Sequence, residues 1–384
     1  MSDAQAMIES LRALRPKIEA RADEIERLGT IPEDLYDEIV ATGYLRMSVP
    51  RRVGGAELTL AETNAVIMEA ARADGAVGWL AMIAMHAPII LSLLPRATFD
   101  DLFASTPDVR ARVVLAPRGT AVPVSGGYRV SGQWQFASGG PAPHLFAGGC
   151  LVPADDDAPG GGMPQMIVPV LPVEDVEFLD TWHVVGMKGT NSCDVAVHEM
   201  FVPEERVANL FTGESCLDGP MRTVSFRLAV TPGHVAVALG IARGARDDLG
   251  ALAATKRSMM NPAARLGDDP AFQRAYGELA VHIEAADAML ADATAKIWGA
   301  AVTGEALDPV ATLQATAVAP YGTALCVKAI DAAYSLAGSA SLYATSPLQR
   351  RLRDIHVATQ HAGVSTGTYQ ALGAALVTSP EHGH

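Results

Sequence analysis

From about Val113 to Val202 the apolar residues recur at every second position, whereas on either side they recur at three and four. The first spacing suits a strand with one buried face and the second an amphipathic helix. The chain must therefore be helical, then sheet-forming, then helical again. The alternation is sharpest in Gly127–Gly140, GYRVSGQWQFASGG. There Tyr128, Val130, Gly132, Trp134, Phe136 and Ser138 share one face, and Arg129, Ser131, Gln133 and Gln135 the other. Ser138 ends the apolar face with a hydroxyl, and burying a hydroxyl without a partner costs about 1–3 kcal/mol. That partner is either a nearby backbone carbonyl or a polar atom of a flat ligand lying on Trp134 and Phe136.

Val113–Leu115, Tyr128–Phe136, Leu145–Val152, Met166–Val170 and Val195–Val202 read as strands, separated by Gly, Pro and Asp clusters. One such cluster, Asp155–Pro164, reads as a solvated loop. In the first part, Ile31-Pro32-Glu33 opens a helix with the apolar stripe Leu35, Tyr36, Ile39 and Val40, and Gly43 ends it. Leu60–Ala73 and Ala97–Phe103 read as further helices. Ala76–Leu94 carries no charged residue and approaches a membrane-spanning length. With His86 and Pro88 in its middle and no second span expected, it reads as a buried core helix. Val235–Ala253, Pro270–Val302, Val310–Ala337 and Pro347–Val377 then predict a four-helix bundle. The fold class is α+β, mostly α, divided at 1–112, 113–215 and 216–384.

A formal net charge of −14 argues against a nucleic-acid or anionic-membrane partner, which would call for a basic face. The four cysteines, Cys150, Cys193, Cys216 and Cys326, lie far apart without a CxxC pair, so no metal site or disulfide is expected. Reduced thiols and an N-terminus without an apolar signal region point to the cytoplasm. GxGxxG and GxxxxGK[ST] are both absent, so a nucleotide cofactor is not expected on a Rossmann turn or P-loop.

Three stretches carry a resemblance: IPEDLYDEIVATGYLRMSVPRRVGGAELTLAE near the start, DTWHVVGMKGTNSCDVAVHEMFVPEERV at Asp180–Val207, and SPLQRRLRDIHVATQH at Ser346–His361. Together they resemble the acyl-CoA dehydrogenase fold superfamily. The resemblance implies an N-terminal helical domain, a small middle β-barrel or sandwich, and a C-terminal four-helix bundle. It also implies a homotetramer packed through the bundles. A dehydrogenase of this type needs a carboxylate base, yet the matching positions hold His361, Ala362 before Gly363, and Val230. The stretch that would contact acyl-CoA is replaced by Pro117–Pro123.

Those departures are similar to the reduced-flavin monooxygenase branch, whose patterns look like GGYRVSG.W.FASG, DTWHV.G..GT.S and PLQR..RD.H…QH. That resemblance implies FMNH2 or FADH2 delivered by a separate NAD(P)H-dependent flavin reductase, and addition of O2 to give a C4a-hydroperoxide. A small aromatic or polycyclic substrate is then hydroxylated. It implies Ser138 near the flavin N5 and His361 as the active-site histidine, taking a phenol or indole proton. Trp134, Phe136, Ala137 and Trp182 are implied beside the cofactor. The segment Ser335–Ser339 lacks the glutamine and second glycine that hold the adenine half of FAD in dehydrogenases, so FMN and FAD both stay open.

Each residue also has a purely structural reading. Trp134 and Phe136 suit a core. Arg353 and Asp354 suit an ion-pair network holding their helix. His356 and His361, five residues apart on one expected helix, would point about 140° apart, so only one faces a given pocket. His86 and His234 are possible polar groups of that pocket. The rival functions are an acyl-CoA dehydrogenase with a relocated base, a helical scaffold that has lost its flavin, and other flavin chemistry such as amine N-oxidation.

Overall fold

Pro32 and Gly43 bracket a helix as expected. The computed structural model, which describes residues 1–153, 165–257 and 263–378, places it at Glu33–Ala41, with Gly43 left-handed at φ 87°. It follows α1 (Asp3–Ala20) and α2 (Ala22–Leu28) and is therefore α3. Next comes α4 (Leu60–Ala73), with the bounds read from the sequence. A capping box starts it: Glu62 N–H donates to Thr59 Oγ1 at 3.3 Å, and Thr59 N–H donates to the Glu62 carboxylate at 2.9 Å. Helix α5 (Gly75–Leu91) is capped by Asp74 and buried along most of its length, and α6 (Arg96–Leu102) closes the first helical part. The Asp155–Pro164 loop lies outside the described residues.

The middle of the chain forms β1 (Ala111–Val124), β2 (Gly127–Trp134), β3 (Leu145–Val152), β4 (Gln165–Pro172), β5 (Glu177–Leu179), β6 (Asp194–Pro203) and β7 (Val207–Ala208). They make one sheet in the order β5-β6-β2-β1-β3-β4-β7, with β1 and β3 parallel and the other neighbours antiparallel. β1 is much longer than the Val113–Leu115 strand expected. It runs through Pro117 because its pairing with β3 shifts register between Val114 and Gly119, and such an irregularity accommodates a proline. β2 ends at Trp134, two residues short of the expected strand, because Phe136 turns left-handed at φ 64°.

The last part holds α7 (Phe226–Thr255), α8 (Pro270–Thr303), α9 (Pro309–Ala337), α10 (Pro347–Ala358) and α11 (Gly367–Thr378). The single helix expected over Pro347–Val377 is thus two, broken at a short 3-10 turn, Ala362–Val364, whose N-cap is His361. Among the described residues two helices are long and apolar enough to cross a membrane by length and composition, Phe226–Thr255 and Pro309–Ser341, against the expectation of no second span. Their most apolar windows are 89% and 56% buried inside the protein, as alanine-rich bundle helices would be.

The two helical parts share one apolar core, in which α4 and α5 lie against α7. The sheet has its own core around Trp134, Phe146, Val130 and Val197. The seam between these cores is where two of the expected site residues, Ser138 and His361, meet across Trp79.

Candidate active site

Two loops leave the sheet at this seam. The first, after β2, carries Ala137 and Ser138; the second, before β6, carries Thr190 and Ser192. Arg112 of β1 ties them together. Its Nη1 donates to the carbonyls of Ala137 at 2.8 Å and Asn191 at 2.7 Å, with Cys193 Sγ at 3.3 Å. Burial lowers the pKa of this guanidinium, and Cys193 opposes the shift. Both polar groups of the Ala137 backbone are spent on this scaffold, since its N–H donates to the Cys193 carbonyl at 3.1 Å.

Ser138 is buried, and within the protein its hydroxyl meets side chains instead of the backbone carbonyl weighed from sequence. Trp79 on α5 donates its indole N–H to Ser138 Oγ at 3.0 Å. Ser138 Oγ also lies 2.7 Å from Ser192 Oγ, and Ser192 Oγ lies 2.7 Å from Thr190 Oγ1. Thr190 in turn donates to the Met187 carbonyl at 2.8 Å. A hydrogen-bonded chain therefore runs from a helix of the first part to the Gly-rich turn of the sheet.

Trp79 also faces the imidazoles. Its ring centroid is 5.4 Å from that of His361, edge-on, and 5.8 Å from that of His234. His234 and His361 lie 4.6 Å apart at an interplanar angle of 33°, and His86 lies 6.0 Å beyond His234. The three rings come from α5, α7 and the turn after α10. His86 Nε2 and His234 Nδ1 are buried without a hydrogen-bond partner. Such atoms cost about 1–3 kcal/mol each unless a ligand meets them. Burial is the main cause that pushes His86 down to about 3, with His361 adding to it and a backbone bond with Val230 opposing it. His234 is driven well below its ordinary value by burial and by both neighbouring rings, and His361 is lowered by burial alone. All three rings are therefore neutral at pH 7.

His361 is not on a helix, so the expected 140° argument does not apply to it. Helix α10 ends at Ala358, and the His361 ring is held by the Gly363 N–H, which donates to its Nδ1 at 3.0 Å. The neutral ring then carries its proton on Nε2. His356 lies apart from the cluster, exposed and 3.0 Å from Asp331.

The aromatic expectations divide. Trp134 has 0% exposure, packs its edge on Phe146 and donates to the Gly149 carbonyl at 2.7 Å. It is a sheet-core residue, which corrects its placement beside a flat cofactor. Phe136 is 67% exposed because its left-handed backbone turns it off that face. It stands edge-on to Trp182 at 6.3 Å, and Trp182 donates to the Lys188 carbonyl at 3.1 Å. These two rings present an open aromatic wall.

Arg353 does form the expected network, donating to Glu26 and Gln349 at 2.7 Å each. Asp354 instead accepts from the Met187 N–H. Sequence reasoning missed Trp79, which an apolar run conceals. It also gave no role to Thr190 or Ser192, although both lie in the stretch GMKGTNSC.

Residues 2–96 match the family described as acyl-CoA dehydrogenase, N-terminal domain, and residues 232–366 match acyl-CoA dehydrogenase, C-terminal domain. The chain is 30% identical to an indole-3-acetate monooxygenase of Pseudomonas putida, over 92% of this chain and 89% of that one. It is 29% identical to the flavin-dependent monooxygenase, oxygenase subunit HsaA, of Rhodococcus jostii, over 92% and 94%. Among solved structures, XiaF from a Streptomyces species, in complex with FADH2 and glycerol, superposes with a TM-score of 0.90. That match is at 25% identity and covers 98% of this chain and 96% of that one. These relatives count against the dehydrogenase and scaffold readings. The chain belongs to the acyl-CoA dehydrogenase fold superfamily, in its branch of two-component, reduced-flavin-dependent monooxygenases.

Proposed function

We propose that this oxygenase hydroxylates a small phenol- or indole-type ring, bound against Trp79 and the three imidazoles, using FMNH2 or FADH2 from a separate NAD(P)H-dependent reductase. The observation that carries the reading is the cluster of neutral rings at His86, His234 and His361, with two buried nitrogens that no protein group satisfies. A substrate hydroxyl or ring N–H supplies what they lack. The dehydrogenase alternative has no such support, because none of the positions that would offer a base, His361, Ala362 and Val230, carries a carboxylate.

The residues present fit a reduced flavin. Phe136 and Trp182 offer an exposed aromatic wall, and Ser138 keeps one lone pair for an N–H donor. When bound, the flavin gives two electrons to O2, one oxygen atom entering the substrate and the other leaving as water. His361 presents Nε2–H to a substrate oxygen and stabilises its anionic form, which enriches the ring toward electrophilic oxygen. Accepting a proton there would need the other tautomer and the loss of the Gly363 bond. Trp79 and the buried helix α5 exclude water from the His86 and His234 part of this wall, and His361 closes it at the exposed side.

The assembly is read as a homotetramer in the cytoplasm. Exposed Val281, Tyr321, Leu342 and Tyr343 on and beside the bundle helices support the first part, and four free thiols the second. Light scattering at micromolar concentration tests the tetramer, and a stable monomer rejects it. For the reaction, the chain is supplied with a flavin reductase, NAD(P)H and a panel of phenols and indoles under ¹⁸O₂. One labelled oxygen per product molecule is expected. Anaerobic reduction of bound flavin by an acyl-CoA, with no labelled product from any aromatic, would overturn the reading.

A further inference from the structure

The chain of hydroxyls behind Ser138 has a fixed direction. At one end, the Trp79 indole N–H has no lone pair to offer and can only donate. At the other, the Met187 carbonyl has no proton and can only accept. Thr190 therefore spends its only hydroxyl proton on Met187, at 2.8 Å, and must accept from Ser192 at 2.7 Å. Ser192 has then spent its proton and must accept from Ser138, again at 2.7 Å. Ser138 receives the Trp79 N–H at 3.0 Å. Both ends impose the same polarity: Trp79 to Ser138 to Ser192 to Thr190 to Met187. Ser138, Ser192 and Thr190 are all at most 6% exposed, so water does not compete for these protons. Asp354 and Arg112 hold the two loops in register.

We propose that this polarity makes Ser138 an obligate hydrogen-bond acceptor and so selects a reduced, N5-protonated flavin over an oxidised one. A reduced flavin carries N–H at N5, which the remaining Ser138 lone pair accepts. An oxidised flavin carries a lone pair there, and Ser138 has no proton left to give it. Ser192 and Thr190 act only through Ser138, as positioning residues. The device suits an oxygenase that must take up reduced flavin from another protein and release it oxidised. It rests on the reading that Ser138 faces N5.

The test is anaerobic binding of FMN and of FAD, each oxidised and dithionite-reduced, measured by equilibrium ultrafiltration. In Ser192→Ala the Ser138 proton is freed, and in Thr190→Val the Ser192 proton turns back toward Ser138. In both variants, oxidised flavin should bind on the order of tenfold tighter relative to reduced flavin, because a mismatched pair becomes a hydrogen bond. The bound two-electron potential should fall by about 30 mV. Thr190→Ser restores the hydroxyl and should keep the wild-type preference, which a merely structural role of the side chain would not separate from Thr190→Val. If Ser138→Ala leaves all affinities unchanged, the N5 contact itself is wrong. If Ser138→Ala weakens reduced-flavin binding while Ser192→Ala and Thr190→Val keep the wild-type ratio, the N5 contact stands and the polarity inference is overturned.

Discussion

The Met187 N–H donates to Asp354 Oδ1 at 2.6 Å across 167 positions of sequence, with both residues buried. This bond, beside the one from Arg353 to the Val185 carbonyl, ties helix α10 to the turn whose carbonyl ends the Ser138 chain.

Asp354 should make the protein less stable as pH rises. Burial raises its pKa to about 7, Asp74 adds to the shift, and the Met187 N–H and Arg350 oppose it. The folded state therefore holds a proton that the unfolded chain loses near pH 3.9. The stabilisation is complete below that value and disappears as pH rises through 7. Asp354→Asn keeps an oxygen for Met187 and has no charge to bury. Denaturant unfolding should show the variant gaining on wild type by up to a few kcal/mol between pH 4 and 8. Parallel stability curves would count against a raised carboxyl.

His361→Ala should lower hydroxylation at least about 10²-fold at pH 7, with delivery of reduced flavin by the reductase unchanged. His356→Ala, altering an exposed ring paired with Asp331, should cost far less. Because burial lowers the His361 pKa, its neutral form persists on the acid side of 6.5. Protonation at Nδ1 would cost the Gly363 bond and release the ring, so the acid limb of the pH–rate profile should lie below 6.5, and a limb above it would contradict a desolvated ring.

Trp134→Phe tests the division between core and site. The variant leaves the Gly149 carbonyl unpaired and a gap beside Phe146, so stability should fall by about 1–3 kcal/mol. Flavin affinity of the folded fraction should not change. A selective loss of flavin binding would return Trp134 to the site.

That division also marks what a one-dimensional reading sees. Leu60–Ala73 and Leu145–Val152 were legible to the residue, because a capping box and a run of apolar residues are local signals. The wall of imidazoles was legible only as scattered candidates, since His86, His234 and His361 meet through tertiary packing. Alternation placed Phe136 with Trp134 and could not register the left-handed turn that separates them. Nor did it reveal the break after Ala358, where no proline marks the end of the helix.

The turn that follows that break gives the last prediction. A Cβ at Gly363 would fall 2.4 Å from His234 Nε2 and 3.0 Å from His361 Nδ1. His234 is 5% exposed and packed against Trp79 and His86, so its ring has little room to retreat. The methyl group of Gly363→Ala must instead push the turn outward, carrying His361 away from Trp79. Gly363 lies in a short turn at the protein's edge, so global unfolding should change by about 1 kcal/mol or less. Turnover should drop roughly 10–100-fold, because misplacing an active-site group by about 1 Å has effects of that order. Flavin binding, which the proposed function places on Ser138 and the aromatic wall, should stay at the wild-type level. Steady-state hydroxylation beside thermal unfolding and flavin titration separates these outcomes. Wild-type turnover in Gly363→Ala would mean that the spacing of His234 and His361 does not matter to the reaction.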